Sequence, residues 1–291
     1  MNMFERLEKM RKRNLFVATI IWIIAITAFV FFFVYGLSYE RSTQQTFLII
    51  ALICILIGAV ITKNLRDAYQ ETFRNTFYKE IFGDNAYQFS FDESGPFGAT
   101  QLKNWGVLPN VIQAPTRNTI HGSKDGLCFT VCELDVLGKD RIEGPSAWFH
   151  GLYVIADLKE KTKGTIQIRT PENLHMEQHE NLFSIWNMEL TPMKTGVSWF
   201  DESMSVYADN QQVVEEMLNE ENMKKIFQLH QKFHRQIWMG IVDGQMHVAI
   251  NQPKTFFQPT LYSEVNEKTL GKQRKKVEEL TILINEIMEN H

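Results

Sequence analysis

Residues 15–37 read LFVATIIWIIAITAFVFFFVYGL, 23 consecutive residues without a charge. Crossing the hydrocarbon core of a bilayer takes about 20 apolar helical residues. A helix in a water-soluble domain needs only one apolar stripe, so a run apolar on every face points to lipid. Thr46 to Thr62, TFLIIALICILIGAVIT, is a second uncharged run, 17 residues long and at the short end of what can span. Two such runs in tandem predict a pair of membrane helices rather than two buried core helices. The basic start (Arg6, Lys9, Arg11, Lys12, Arg13) also fits a cleaved signal peptide. The apolar stretch is too long for one, however, and no A-x-A site follows it.

Lys and Arg placement sets the expected orientation. Five precede the first run, the connection Ser38 to Gln45 holds only Arg41, and Lys63, Arg66, Arg74 and Lys79 follow the second run. Both ends are therefore expected in the cytoplasm. The organisation reads as a basic cytoplasmic N-terminus (1–14), transmembrane helix 1 (15–37), a short external loop (38–45), transmembrane helix 2 (46–62), an amphipathic linker helix (63–83) and a cytoplasmic α+β domain (84–291) that ends in a helix.

The averages of the 291-residue chain hide this division. Its 44% hydrophobic and 22% charged residues are ordinary for a globular protein. With 16 Gly and 8 Pro it is neither collagenous nor a low-complexity linker, and 3 Cys cannot form a disulfide scaffold. Residues 63–291 carry 24 Lys and Arg against 31 Asp and Glu. A nucleic-acid binder is expected to present a basic face, so this acidic balance argues against one.

Beyond the second run, Leu65, Tyr69, Phe73, Phe77 and Ile81 recur every four residues and predict a helix over 63–82, stopped by Gly83-Asp84-Asn85. Its stripe reads either as a signalling or dimer seam or as a surface buried at home, and amphipathic helices usually do the latter. Strand-like runs follow at Tyr87–Phe91, Leu127–Val136, Gly151–Asp157, Thr165–Thr170 and Leu182–Leu190, with short ones at Val197–Trp199 and Ser205–Tyr207. Gly95 to Arg117 is turn-rich, with room for a short helix. Asn210 is placed to cap a helix burying Val213, Val214, Met217 and Leu218, and a second helix turns Met223, Ile226, Phe227 and Phe233 inward. Asp243-Gly244 suits a type I′ turn between Ile237–Val242 and Gln245–Ile250. A last helix from about Val265 carries Val277, Leu280, Leu283 and Ile287. Strands and helices segregate along the chain, which makes the class α+β.

The order of a basic N-terminus, two adjacent apolar helices, an amphipathic helix and an α+β domain is similar to a known family. WFHGLYVIADLKEKTKGTIQIRT (148–170) resembles its central strand pair. FDESMSVYADNQQVVEEMLNEENMKKIFQLHQKFHRQIWMGIVDGQMHVAI (200–250) resembles its C-terminal block. The family comprises bacterial two-span membrane proteins catalogued as domain of unknown function 3137, and the likeness covers most of residues 65–262. It implies an inner-membrane protein without an established activity. Members occur beside LemA-type membrane proteins, which makes such a protein a candidate partner. The family offers no functional residue to carry over, and ESMS (202–205) and NEEN (219–222) depart from its pattern.

No catalytic motif stands out. His175/His179 and His230/His234 have the H-x-x-x-H spacing, but both pairs lack the glutamate of H-E-x-x-H and a defined third ligand. Cys128 and Cys132 share a strand-like run, and four residues of strand span roughly 13 Å, too far for one metal or a disulfide unless the strand bends. Gly122-Ser123-Lys124-Asp125-Gly126 looks superficially like a phosphate loop, and a hairpin turn explains it. Asp135, Asp140, Glu143 and Asp157 are unrelated by any motif. Lys268, Lys272, Arg274, Lys275 and Lys276 form a basic run that suits either lipid headgroups or a solvated helix face. No catalytic, cofactor or metal residue is assigned. The expected function is a membrane-anchored interaction or scaffold domain, not an enzyme, whose partners are the bilayer and a membrane protein or a second copy. The alternatives are a membrane-tethered enzyme with a motif-free site, one that could gather His150, His175 or Asp157, and an accessory subunit of a transport complex.

Overall fold

The computed structural model describes residues 3–38, 41–78, 88–92, 95–139, 145–158, 163–171, 190–233, 237–251, 261–262 and 264–288. The chain divides into two compact units, Met1–Ile81 with Phe257–Arg274, and Phe82–Phe256 with Lys275–His291.

The first unit is built on two long helices, α1 (Met3–Gly36) and α2 (Arg41–Phe73), the second running on into a π-helical turn, Arg74–Tyr78. α1 starts well before its apolar run and α2 overreaches both ends of its own, because those flanks contain no Pro or Gly to stop them. The connection is consequently shorter than eight residues, and Arg41 to Gln45 form the first turn of α2. The helices run antiparallel. Phe32 stacks against Phe47 at a ring separation of 6.2 Å, Tyr35 meets Phe47 edge to face at 5.6 Å, and Asn14 Nδ2 donates to the Leu65 carbonyl at 3.2 Å. Between these points small residues let the backbones approach. Ala18, Ala25 and Ala51 are buried, and a Cβ on Gly58 would stand 3.1 Å from that of Ala25. The stripe beyond the apolar run is also closed, with Tyr69, Phe73 and Phe77 buried in a ladder of rings. This is the arrangement expected of a helix that buries its stripe at home.

The second unit is an antiparallel sheet with helices on it. Its strands are β1 (Gln88–Asp92), β2 (Thr116–Lys124), β3 (Leu127–Lys139), β4 (Pro145–Asp157), β5 (Thr165–Arg169), β6 (Thr191–Met193), β7 (Ser205–Ala208), β8 (Ile237–Val242) and β9 (Gln245–Asn251). The spatial order among the described residues is β1-β2-β3-β4-β9-β8-β5-β7-β6. The helices are α3 (Ala99–Trp105), α4 (Ser198–Ser203), α5 (Gln211–Met217), α6 (Glu220–Phe233) and α7 (Glu267–Met288), the last starting in the first unit.

Both faces of the central strands are buried, so IWMGIV of β8 is apolar without alternation. One face carries the register row Cys132, Tyr153, Ala249 and Trp238. It packs against Phe97, Leu102, Val107, Leu108 and Val111 from α3 and the segments around it. The opposite face carries an apolar row through six strands: Val131, Val154, Val248, Met239, Ile168 and Val206. Full burial of each such side chain is worth roughly 1.5–3 kcal/mol, so the row contributes substantially to sheet cohesion. α5 packs on β5 and β7, and Lys124 Nζ of β2 donates to Asn285 of α7 at 2.9 Å.

The turns follow the expected chemistry. Asp243 and Gly244 lie at φ 49° and 78°, and Asp125 and Gly126 at 52° and 82°, so two-residue hairpins of the primed type join β8 to β9 and β2 to β3. Asn210 caps α5 by accepting from the Val213 amide at 3.1 Å. Two readings need correction, and one strand is new. Val197–Trp199 opens a helix instead of a strand, because the Asp201 carboxylate accepts from the Thr195 and Gly196 amides and winds the chain into α4. β2 takes only Thr116 and Arg117 from the turn-rich stretch and Gly122 to Lys124 from the expected hairpin turn, which narrows to Asp125-Gly126; its polar sequence, TRNTIHGSK, conceals a strand paired on both sides. β6, containing Pro192, occupies the sheet edge, where a missing amide costs nothing. The expected strand Leu182–Leu190 falls, except for Leu190, outside the described residues.

Candidate functional site

Three constellations are candidates for function. The first is the surface of the helical hairpin. Glu5–Gly36 and Thr43–Phe77 are long and apolar enough to cross a membrane. Only 11% of the most apolar stretch of each is buried. Phe16 is 65% exposed, Ile24 62% and Leu56 63%, whereas core helices of a soluble protein hide such side chains. A continuous apolar surface of this size marks contact with lipid or another protein.

The second lies at the base of the hairpin. Glu8, on the first turns of α1, receives Arg11 in a bidentate grip, Nε to Oε2 at 2.8 Å and Nη2 to Oε1 at 2.6 Å. Glu8 Oε2 also accepts the Val265 amide at 3.0 Å, and Arg11 Nη1 donates to the Leu261 carbonyl at 3.0 Å. Residues some 250 positions apart are thus clasped by one ion pair. The Arg11 hydrogen bonds, with help from the Val265 amide, hold the Glu8 carboxyl down to about 2. Arg11 is raised in turn by Glu8. Burial pushes the nearby Tyr69 hydroxyl up to about 12.

The third is a charged cluster on β2, β3 and β4. Asp135 and His150 are direct register partners, as are Arg117 and Glu133. His150 Nδ1 meets Asp135 Oδ1, and Arg117 bridges Asp135 Oδ2 at 3.0 Å and Glu133 Oε2 at 3.2 Å. Asn118 Nδ2 donates to the same Glu133 oxygen at 2.8 Å. Glu133 is buried, while His150, Asp135 and Arg117 reach the surface. An imidazole held at one nitrogen by a carboxylate is oriented at its other nitrogen, which is what proton transfer or metal ligation requires.

A separate buried group surrounds His247. Its Nδ1 lies 3.1 Å from the Tyr153 hydroxyl, and the Trp105 ring stands 4.8 Å away. Burial drives the imidazole down to about 3, so it is neutral at physiological pH. The same burial pushes the Tyr153 hydroxyl and the Cys132 thiol well up.

The residues singled out in the sequence scatter. His175, His179, His234, Asp140 and Glu143 lie outside the described residues, and His230 sits half-buried on α6 against Phe227. Cys128 is exposed and Cys132 buried on the same strand, both as free thiols. Asp157 accepts from Gln245 Nε2 and from the Cys128 amide, a structural role at the strand end. Among the described residues no group of three His, Cys, Asp or Glu is placed to hold a metal. Of the carboxylates and histidines considered, the structure joins Asp135 and His150. Arg117, Glu133 and Asn118 escaped the reading because only strand register brings them together. The alternation of Glu133 and Asp135 on one face of β3 was the available signal.

Residues 147–289 match the model of a family described as Protein of unknown function (DUF3137). The match confirms the likeness read from the sequence over that region, and the two N-terminal apolar helices fit a two-span protein. No curated protein matches the chain. The crystal structure of the mycobacterial trehalose monomycolate transport factor A, TtfA, aligns at 13% identity with a TM-score of 0.35, covering 75% of this chain and 96% of that one. At that distance neither fold nor function transfers.

Proposed function

We propose that this chain is a two-span anchor that holds an α+β interaction domain on the cytoplasmic side of the bacterial inner membrane. The observation that carries the reading is the outward-facing apolar surface of α1 and α2, which water would penalise heavily. The basic residues at 6–13 and 63–79 support a cytoplasmic position for both termini. Anchoring raises the effective concentration of the domain towards other membrane proteins. The partner is a membrane protein, with a LemA-type protein as the first candidate from the family resemblance, or a second copy of the chain. Nucleic acid is not a partner in this reading, because the body of the domain is acidic.

Full-length protein should sediment with membranes, and topology reporters at Gln45 and His291 should read outside and inside respectively. Full-length protein left in the supernatant after ultracentrifugation refutes the anchor, and an external His291 refutes the orientation. Crosslinking in native membranes should capture one defined partner or a homo-oligomer.

A second reading, a membrane-tethered enzyme, is favoured by the oriented His150 beside Asp135. Its test is a substrate screen on purified full-length protein. Turnover abolished by His150→Ala would establish it and displace the non-enzymatic reading.

A further inference from the structure

We infer that the first two turns of α7, together with Tyr262, form a foot that rests on anionic lipid headgroups. The inference deepens the membrane-anchored reading and depends on it. The clasp described above fixes where this distant segment sits within the first unit. Glu8 lies seven positions before Leu15, the first residue of the apolar run. At about 1.5 Å per residue, it stands roughly 10 Å from the hydrocarbon edge. The headgroup layer occupies roughly 5–8 Å of that distance. The Val265 amide bonds directly to Glu8, so the start of α7 is held at the rim of the headgroup layer.

What the segment presents there suits such a surface. Lys268 and Lys272 are exposed, one turn apart on one helix face, opposite the stripe that buries Leu270 and Val277. Neither has a carboxylate partner among the described residues. Glu267 projects from a different side of the helix, and Glu264 precedes it. Tyr262, 74% exposed, directly follows Leu261, whose carbonyl is pinned by Arg11. A tyrosine has an apolar ring and a polar tip and favours the headgroup level. The exposed Arg6, Lys9, Arg13, Lys63 and Arg66 lie on the same unit. Charge is segregated to match: the first unit holds 13 Lys and Arg against 8 Asp and Glu, the second 17 against 26. Lysines within about 8 Å of an anionic surface escape most screening at physiological salt.

The test is amide hydrogen exchange on the full-length protein in nanodiscs of phosphatidylcholine alone or mixed with phosphatidylglycerol. The expected result is slow exchange over 15–37 and 46–62 in both. Over 264–274, exchange should be slower by roughly tenfold in the anionic discs, an effect lost in high salt and in Lys268→Gln/Lys272→Gln. Tyr262→Ala should weaken it in part. If the two apolar stretches are protected but 264–274 ignores lipid charge, the foot is wrong and the anchor stands. If the difference persists in the double variant, these lysines are not its cause and the assignment fails. If the apolar stretches themselves exchange freely in discs, the anchor fails and the foot with it.

Discussion

Replacing Glu8 with Gln tests the clasp at its centre. The carboxylate takes two charge-assisted bonds from Arg11 and one from the Val265 amide, and lies 3.5 Å from Lys12. Its carboxyl falls from 4.5 to about 2 on folding. At about 1.36 kcal/mol per unit, a shift of that size corresponds to roughly 3 kcal/mol. Its 20% side-chain exposure lets solvent screen part of this, which leaves about 2 kcal/mol. Glutamine keeps one acceptor oxygen but no charge, so most of that difference is lost. The Val265 amide is a direct reporter, because opening the clasp frees its hydrogen. In detergent at neutral pH, Glu8→Gln should exchange at Val265 roughly 30-fold faster than the unaltered protein. The pH dependence has a definite sign. The folded carboxyl titrates below the unfolded one, so its stabilisation is complete above about 4.5 and is lost as pH falls towards 2. Corrected for intrinsic exchange, protection at Val265 should therefore erode from pH 5 downwards in the unaltered protein and stay level in the variant. Equal exchange in the two proteins at neutral pH would show that the ion pair does not hold the segment.

Other consequences can be checked on the same full-length protein. Arg117→Met leaves the buried Glu133 with Asn118 in place of its cation and should cost about 2 kcal/mol, read as a lower midpoint in urea, whereas Lys103→Met at a half-buried lysine of α3, outside any ion pair among the described residues, should change little. Asn210→Ala removes the cap of α5 and should cost about 1 kcal/mol in the same assay. Gly58→Leu drives a side chain into Ala25 and should part the hairpin, lowering the thermal midpoint and the yield in membranes, while Leu56→Ile on the exposed side should be neutral. With Cys54 replaced by Ser, iodoacetamide near pH 8 should label the exposed Cys128 and leave the buried Cys132, whose thiol is held protonated, until denaturant is added.

The hairpin was legible because its signal is local: 23 uncharged residues need no tertiary context to be interpreted. The Asp243-Gly244 turn and the Asn210 cap were legible for the same reason, since each is fixed by residues within four positions. β2 was not. Its residues are polar, and its strand character comes from pairing with β1 and β3. The helix at Ser198 was hidden because Asp201 captures amides before it, a reach-back that outweighs the strand propensity of Val197 and Trp199. The Arg117, Glu133, Asp135 and His150 cluster depends on register across three strands, and register is set by the whole sheet. The clasp between Glu8 and Val265 spans nearly the full chain, and no window of sequence contains both.

The place of the β8–β9 hairpin has a consequence for how the protein is made. β4 pairs with β9, yet β9 ends at Asn251, long after β4 ends at Asp157. At about 5–20 residues per second the ribosome needs on the order of ten seconds to supply the missing neighbour. Throughout that interval β4 presents an unsatisfied edge. Maturation therefore ends with the late wedging of one hairpin into a waiting gap, and nascent chains halted before residue 237 should be sticky and short-lived.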